Sequence, residues 1–280
     1  MMMYKSQDSH PVYQESVSPS TALRLYEYLL CREHIRPNDV VLDIGCNTGM
    51  GLDILRTSCR EAHGIDVIPS LQPLLENKYR NTNVHPKIVK EGDIPYPDER
   101  FDAIIAMNLI EHLPDPKGYV RTFSGKLKKG GKLILASVDR SLRLYPWQRP
   151  FNEHHFTEYN ERSLRKLLAT ATDDIHFYGI YTSPPFFPDY VKDASRTKFY
   201  TGIYYPAYHA YSRIAAPLKR LVRPTPVPAP SSPHQDTSPE PPQDTSINVD
   251  DFREAFGCIT VKPGQTRNCR KLFTVSTKRC

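Results

Sequence analysis

Long apolar runs are missing from this 280-residue chain. None approaches the roughly 18 residues that a membrane-crossing helix needs, which speaks against a spanning segment. The start, MMMYKSQDSHPVYQE, shows no apolar core of the kind a secretory signal carries. Cysteine is sparse: Cys31, Cys46, Cys59, Cys258, Cys269 and Cys280 form no CxxC pair and no zinc-finger spacing. So few scattered thiols do not make a disulfide framework, and they read as reduced thiols of a cytoplasmic protein. A strong charge of one sign is also absent. The net charge is +6, and the first 180 residues mix both signs, which argues against a nucleic-acid partner. Proline is the excess, at 26 residues, against a usual share of about 5%.

What the chain does have is an alternation of strand and helix signals. STALRLYEYLLCREHI starts a helix at Ser20, with Leu23, Tyr26, Leu29 and Leu30 on one face. VVLDI (40–44), EAHGIDVI, NVHPKIVKEGD, FDAIIAMN (101–108), GKLILASV (131–138) and DDIHFYGIYTS read as strands. MGLDILRTSC, SLQPLLENKY, DPKGYVRTFSGKLKK and NERSLRKLLATA between them read as helices, the last with Asn160 as N-cap. Such alternation predicts an α/β fold with a doubly wound, mostly parallel sheet. AIIAM and LILAS are apolar throughout, as burial on both faces requires. Ligands of such sheets bind at the carboxyl ends of the strands.

The core is expected over 20–182, after a loose polar segment at 1–19. Residues 183–223 are aromatic and basic, and 195–223 holds six Lys/Arg and no acid. That segment suits a lid over an acceptor site, or peripheral contact with an anionic membrane surface. Pro206 and Pro217 interrupt any continuous helix there. Residues 224–248 are proline-rich and read as a disordered linker. DDFREAFGCITV and RKLFTVSTKR (within 249–280) resume strand-like alternation, and LFTVSTK is expected to return to the sheet edge. The sheet then has seven strands and a late insertion.

VVLDIGCNTGMG (40–51) is the stretch that carries chemistry. The chain leaves a strand through Gly45, Gly49 and Gly51, and glycines let a backbone turn sharply beside a ligand. As GxGxxG the stretch fails, because Asn47 and Met50 stand at the second and third glycines. As GxxxGxG it resembles short-chain dehydrogenases, which use a nicotinamide cofactor. Those enzymes need a Tyr and a Lys four residues apart, and none of the seventeen tyrosines here is followed by Lys at that spacing.

As E/DxGxGxG it resembles the first motif of class I S-adenosylmethionine-dependent methyltransferases. Asp43, Gly45 and Gly49 match. Asn47 replaces a glycine, a mild change because Asn tolerates left-handed backbone. Later segments also resemble this family in order: HGIDVIP, GDIPYPDERFDAII, NLIEHLPDP, LKKGGKLILAS and HHFTEYNERSLRKLL. NLIEHLPDP is closest to the ubiquinone-biosynthesis type. The resemblance covers roughly 20–182 and implies a Rossmann-like fold.

It also implies roles. Asp43 orients the turn or the methionine ammonium of S-adenosylmethionine, and Gly45, Cys46, Asn47 and Gly49 form the turn around the methionine moiety. Asp66 takes the ribose hydroxyls, and Val67 packs near the adenine. Gly92, Asp93 and Ile94 flank the adenine. Asn108 sits where the fourth strand opens toward the sulfonium. His112, His154 and His155 are the candidate bases, since His suits proton removal near neutral pH. Tyr145, Trp147 and Tyr159 line the acceptor pocket or pack.

Some relatives bind a metal through an acid–x–x–Glu–His run. Asn108 replaces the first acid here, so Glu111 and His112 remain and no metal is expected. The expected reaction is methyl transfer to an oxygen of a small-molecule or glycan-type acceptor. The alternatives are a nicotinamide-dependent oxidoreductase and a non-catalytic S-adenosylmethionine-binding protein.

Overall fold

VVLDI forms β1 (Val40–Ile44), buried along its whole length. The computed structural model describes residues 19–150, 152–183, 190–204, 206–207, 259–266 and 269–279. Seven more strands join β1: β2 (Glu61–Asp66), β3 (Val84–Ile88), β4 (Phe101–Met107), β5 (Leu127–Val138), β6 (Thr172–Thr182), β7 (Ile259–Pro263) and β8 (Lys271–Lys278). Their order is β3-β2-β1-β4-β5-β8-β6-β7. The first five pair in parallel. β8 runs against both β5 and β6, and β7 runs against β6.

Two expectations are corrected here. The sheet has eight strands rather than seven, because Ile259–Pro263 pairs with β6 at the far edge. LFTVSTK lies inside the sheet and not at its edge. The burial pattern gives the reason: Leu272 to Val275 and Ser276 are all buried, a run that needs cover on both faces, whereas β7 is mostly exposed. β5 also begins earlier than 131, at Leu127, across a register shift against β4. The proline-rich stretch 224–248 and residues 1–18 lie outside the described residues, as does much of 183–223.

The helices are α1 (Pro19–Arg32), α2 (Met50–Leu55), α3 (Gln72–Lys78), α4 (Pro116–Lys126), α5 (Arg140–Arg143), α6 (Glu161–Leu168) and α7 (Tyr190–Phe199). Alternate strand residues serve opposite faces of the sheet. Val41, Ile105 and Ile134 pack with Leu23, Leu52 and Leu75 from α1, α2 and α3. Leu42, Ile104 and Leu133 pack with Val120 and Leu164 from α4 and α6. Asn160 caps α6 as expected, in a reciprocal pair with Ser163.

The face of α1 differs from the one predicted. Leu23 and Leu30 are buried, but Tyr26 and Leu29 are only half-buried, and Glu27 and Tyr28 are inside. Polar partners turn the helix: Tyr28 reaches Asp43 and Glu27 reaches Asn108. No helix among the described residues is long and apolar enough to cross a membrane.

Candidate cofactor and acceptor site

The turn after β1 is built on left-handed backbone. Gly45 has φ +79°, Asn47 +48° and Gly49 +83°. Asn47 therefore stands where a glycine would, in the conformation expected of it, and its side chain accepts from the Thr48 amide at 2.7 Å. Gly45 and Cys46 amides donate to the Ile65 carbonyl, which ties the turn to β2. The Tyr79 hydroxyl donates to the Gly49 carbonyl at 2.6 Å, and a Cβ on Gly49 would overlap that ring.

Asp43 is fully buried beneath the turn. Its oxygens accept from the Tyr28 hydroxyl at 3.1 and 3.2 Å, and no hydrogen bond joins it to the turn backbone among the described residues. Burial pushes its pKa up to about 7, with Asp66 adding to the rise and the Tyr28 hydrogen bond opposing it. A buried carboxylate with this pKa gains most from a cation at its side, such as an ammonium.

Asp66 is the carboxylate that orients the turn. Its Oδ2 accepts from the Asn47 amide at 2.8 Å, and its Oδ1 accepts from Val67 and Ile68 amides at 2.8 and 3.1 Å. Three of its roughly four lone-pair sites are occupied. One remains for a ribose hydroxyl, rather than the two a diol would use.

A cleft holding about 590 Å³ of space free of atoms opens beside this carboxylate. Gly45, Asp66, Val67, Gly92, Asp93 and Ile94 line it, so six expected residues converge. Leu109, Leu113, Tyr119 and Phe123 complete its apolar wall. Leu109 and Leu113 lie within NLIEHLPDP but are not singled out there; Tyr119 and Phe123 are visible in the sequence only as residues of the helix α4. Asp43, Cys46, Asn47, Gly49 and Asn108 lie outside this lining. Cys46 is buried against Gly64, and burial raises its thiol pKa far above the ordinary range.

The three candidate bases differ sharply in their surroundings. His112 Nδ1 lies 3.0 Å from the His154 carbonyl. A carbonyl only accepts, so Nδ1 carries the hydrogen and Nε2 keeps its lone pair. Burial lowers the His112 pKa below the usual value, so the ring is neutral at pH 7. His155 has both nitrogens committed: Nδ1 to Glu158 at 2.7 Å and Nε2 to the Asn152 amide at 3.1 Å. His154 lies beside Glu153 at 3.8 Å and has an unpartnered, buried Nδ1.

Glu111, His112 and His155 come within 4.8 Å of one another through their donor atoms. The sequence reading did not join His155 to this group. The set does not fit a metal as it stands: Glu111 is buried against Ser137 at 3.1 Å, and both His155 nitrogens are taken. Tyr159 packs in the core, while Tyr145 and Trp147 stack at 5.1 Å with Trp147 71% exposed. Lys198 of α7 lies over the Tyr145 ring and donates to the Ser141 carbonyl.

Comparison with known proteins places this geometry. A family model described as "Methyltransferase domain" matches residues 14–171. The chain is 29% identical over 107 residues to a ubiquinone biosynthesis O-methyltransferase of Coxiella burnetii, covering 38% of this chain and 46% of that protein. It is 27% identical over 145 residues to a probable S-adenosylmethionine-dependent methyltransferase of Mycobacterium tuberculosis, covering 51% and 52%. The chain thus spans about half the length of the curated relatives it matches. The crystal structure of the [4+2]-cyclase SpnF shares the fold, with a TM-score of 0.53 at 17% identity over 98% of this chain and 88% of that one. With a turn, an acidic strand end and a cleft arranged as its motifs imply, the chain belongs to the methyltransferase-domain family, on the class I S-adenosylmethionine-dependent fold.

Proposed function

We propose that the chain transfers a methyl group from S-adenosylmethionine to an oxygen of a small-molecule, glycan-type or lipid-linked acceptor, with His112 as the base. S-adenosylmethionine brings a methyl group on a sulfonium, already activated for displacement. Asp43 faces the ammonium, Asp66 takes one ribose hydroxyl, and Val67 and Ile94 flank the adenine, with Asp93 near its amine. His112 Nε2 removes the acceptor's hydroxyl proton as the oxygen–methyl bond forms and the sulfur–methyl bond breaks.

The observation that carries this reading is the His112 tautomer, fixed by the His154 carbonyl and leaving a neutral Nε2 beside the post-β4 turn. The printed name of the Coxiella relative, an O-methyltransferase, supports oxygen as the acceptor atom. Calorimetry tests the cofactor: S-adenosylhomocysteine should bind and NADH should not, and the reverse result returns the chain to the oxidoreductase reading. Methyl-labelled cofactor incubated with a metabolite extract tests the transfer. Binding without a labelled product would favour a non-catalytic binding protein.

We also propose a cytoplasmic protein that touches a membrane surface through part of 195–223; exposed Phe199 and Ile203, with Trp147 stacked on the Tyr145 ring that Lys198 covers, support the surface contact. Co-sedimentation with anionic but not neutral vesicles is the expected result, and no co-sedimentation removes this contact.

A further inference from the structure

Lys271 is the first residue of β8. A strand that runs against its neighbours brings its first residue, not its last, to the carboxyl edge of the sheet. Lys271 therefore pairs with Val138 at the end of β5, close to Asn108 just beyond β4. Its ammonium donates to the Asn108 side-chain oxygen. The Asn108 amide nitrogen donates in turn to Glu27 Oε2 at 2.8 Å. Among the described residues the other Glu27 oxygen is buried without a hydrogen-bond partner, 3.9 Å from the Lys271 ammonium.

Three distant parts of the chain, on α1, after β4 and on β8, thus converge on one amide. Asn108 itself has φ +52°, a left-handed conformation that costs free energy and is retained where surroundings enforce it. Burying a lysine and a glutamate is also costly, and an apolar trio of similar size would often be as stable. Packing alone does not account for the choice. The chain of groups lies at the sheet edge where ligands of this fold bind, and Glu111 adds a second negative charge to the field at Lys271. Burial works against both charges, and each partner's charge works for the other.

We infer that Glu27 and Lys271 are positioning residues, which hold the Asn108 amide at the methyl-transfer point and balance the charge there. This rests on the cofactor reading above. The sulfonium of S-adenosylmethionine is positive and the thioether of S-adenosylhomocysteine is neutral, so the ratio of their dissociation constants reports that charge without any acceptor.

Both ligands would be titrated calorimetrically into the full chain at pH 7.5. Glu27→Gln removes the larger of the two negative charges acting on Lys271 and should disfavour S-adenosylmethionine relative to S-adenosylhomocysteine by about five- to tenfold. Lys271→Met leaves Glu27 unbalanced and should shift the ratio by a similar factor the other way. Lys271→Arg keeps the charge and should restore the ratio to within about twofold. Loss of packing cannot produce opposite signs from two neighbouring substitutions. Ratios unchanged within twofold, or shifted in one direction by both variants, overturn the inference. Should Lys271→Met not fold, the near-isosteric Glu27→Gln decides alone. If the unaltered protein binds neither ligand, it is the cofactor reading that fails.

Discussion

From β3 to β4 the sheet is parallel, and Asp43, Asp66 and the loop from Gly92 to Ile94, all expected to meet the cofactor, sit at or just after the ends of their own strands. From β5 to β7 it is antiparallel, and the groups proposed above for methyl transfer come from far apart: Glu27, Asn108, His112, the His154 carbonyl and Lys271. In the function proposed above, the first set holds the cofactor largely with backbone shape and two carboxylates. The second set, drawn from α1, the turn after β4, the His154 loop and β8, acts through side chains that touch one another. A local motif can encode the first arrangement, whereas the second exists only once the chain has folded.

Four substitutions and one titration would break or sharpen this contrast. The largest effect is expected from His112→Gln. Methyl transfer to an acceptor found in the labelled extract should slow by about 10²–10⁴-fold. Affinity for S-adenosylhomocysteine should stay within about twofold. An equal loss of both would move His112 to the cofactor half.

Asp66→Ala comes next. It removes the ribose contact and the hold on the Asn47 amide together, so S-adenosylhomocysteine binding should weaken about a hundredfold. A change under threefold by calorimetry would mean that the ribose is held elsewhere. Gly49→Ala adds a Cβ to left-handed backbone and displaces the Tyr79 ring. We expect a loss of about 2–3 kcal/mol in denaturant unfolding, and an unchanged midpoint would refute the close packing.

The smallest effect is a pH dependence. An ammonium pairs with Asp43 only when the carboxyl is ionised, and its pKa stands at about 7 in the free protein. S-adenosylhomocysteine affinity should therefore be level above that pH and fall as pH drops below it, approaching about tenfold per unit. Tyr28→Phe removes a hydrogen bond that favours the ionised form, and should move the break to higher pH. A flat profile between pH 5.5 and 8 would separate Asp43 from the ammonium.

The cofactor half was legible because its signals are short-range. A strand, an acid and glycines at fixed spacing predicted the turn, and Asn47 could be recognised as a tolerated left-handed residue before its φ of +48° was known. The second task of Asp66, holding that turn, was not legible, because it needs the distance between two loops. Nor could the sequence separate His112 from His154 and His155. All three occur in recognisable motifs, and only the partners that the fold brings to each ring distinguish them. Lys271 was invisible for a simpler reason. Which end of a strand lies at the carboxyl edge depends on its direction, and LFTVSTK reads the same in either.

The position of β8 also bears on how the molecule is made. β6 ends at Thr182 and β8 begins only at Lys271, yet β8 is the piece that joins β5 to β6. Until it inserts, β5 and β6 each present an open edge of unpaired amides and carbonyls, the kind of surface that recruits other chains. Closing such a distant pairing is slow compared with forming the local units before it. From this topology, insertion of β8 between β5 and β6 is expected to come late, and the same event delivers the lysine. Chains that stall before that step would be both sticky and without their buried ammonium.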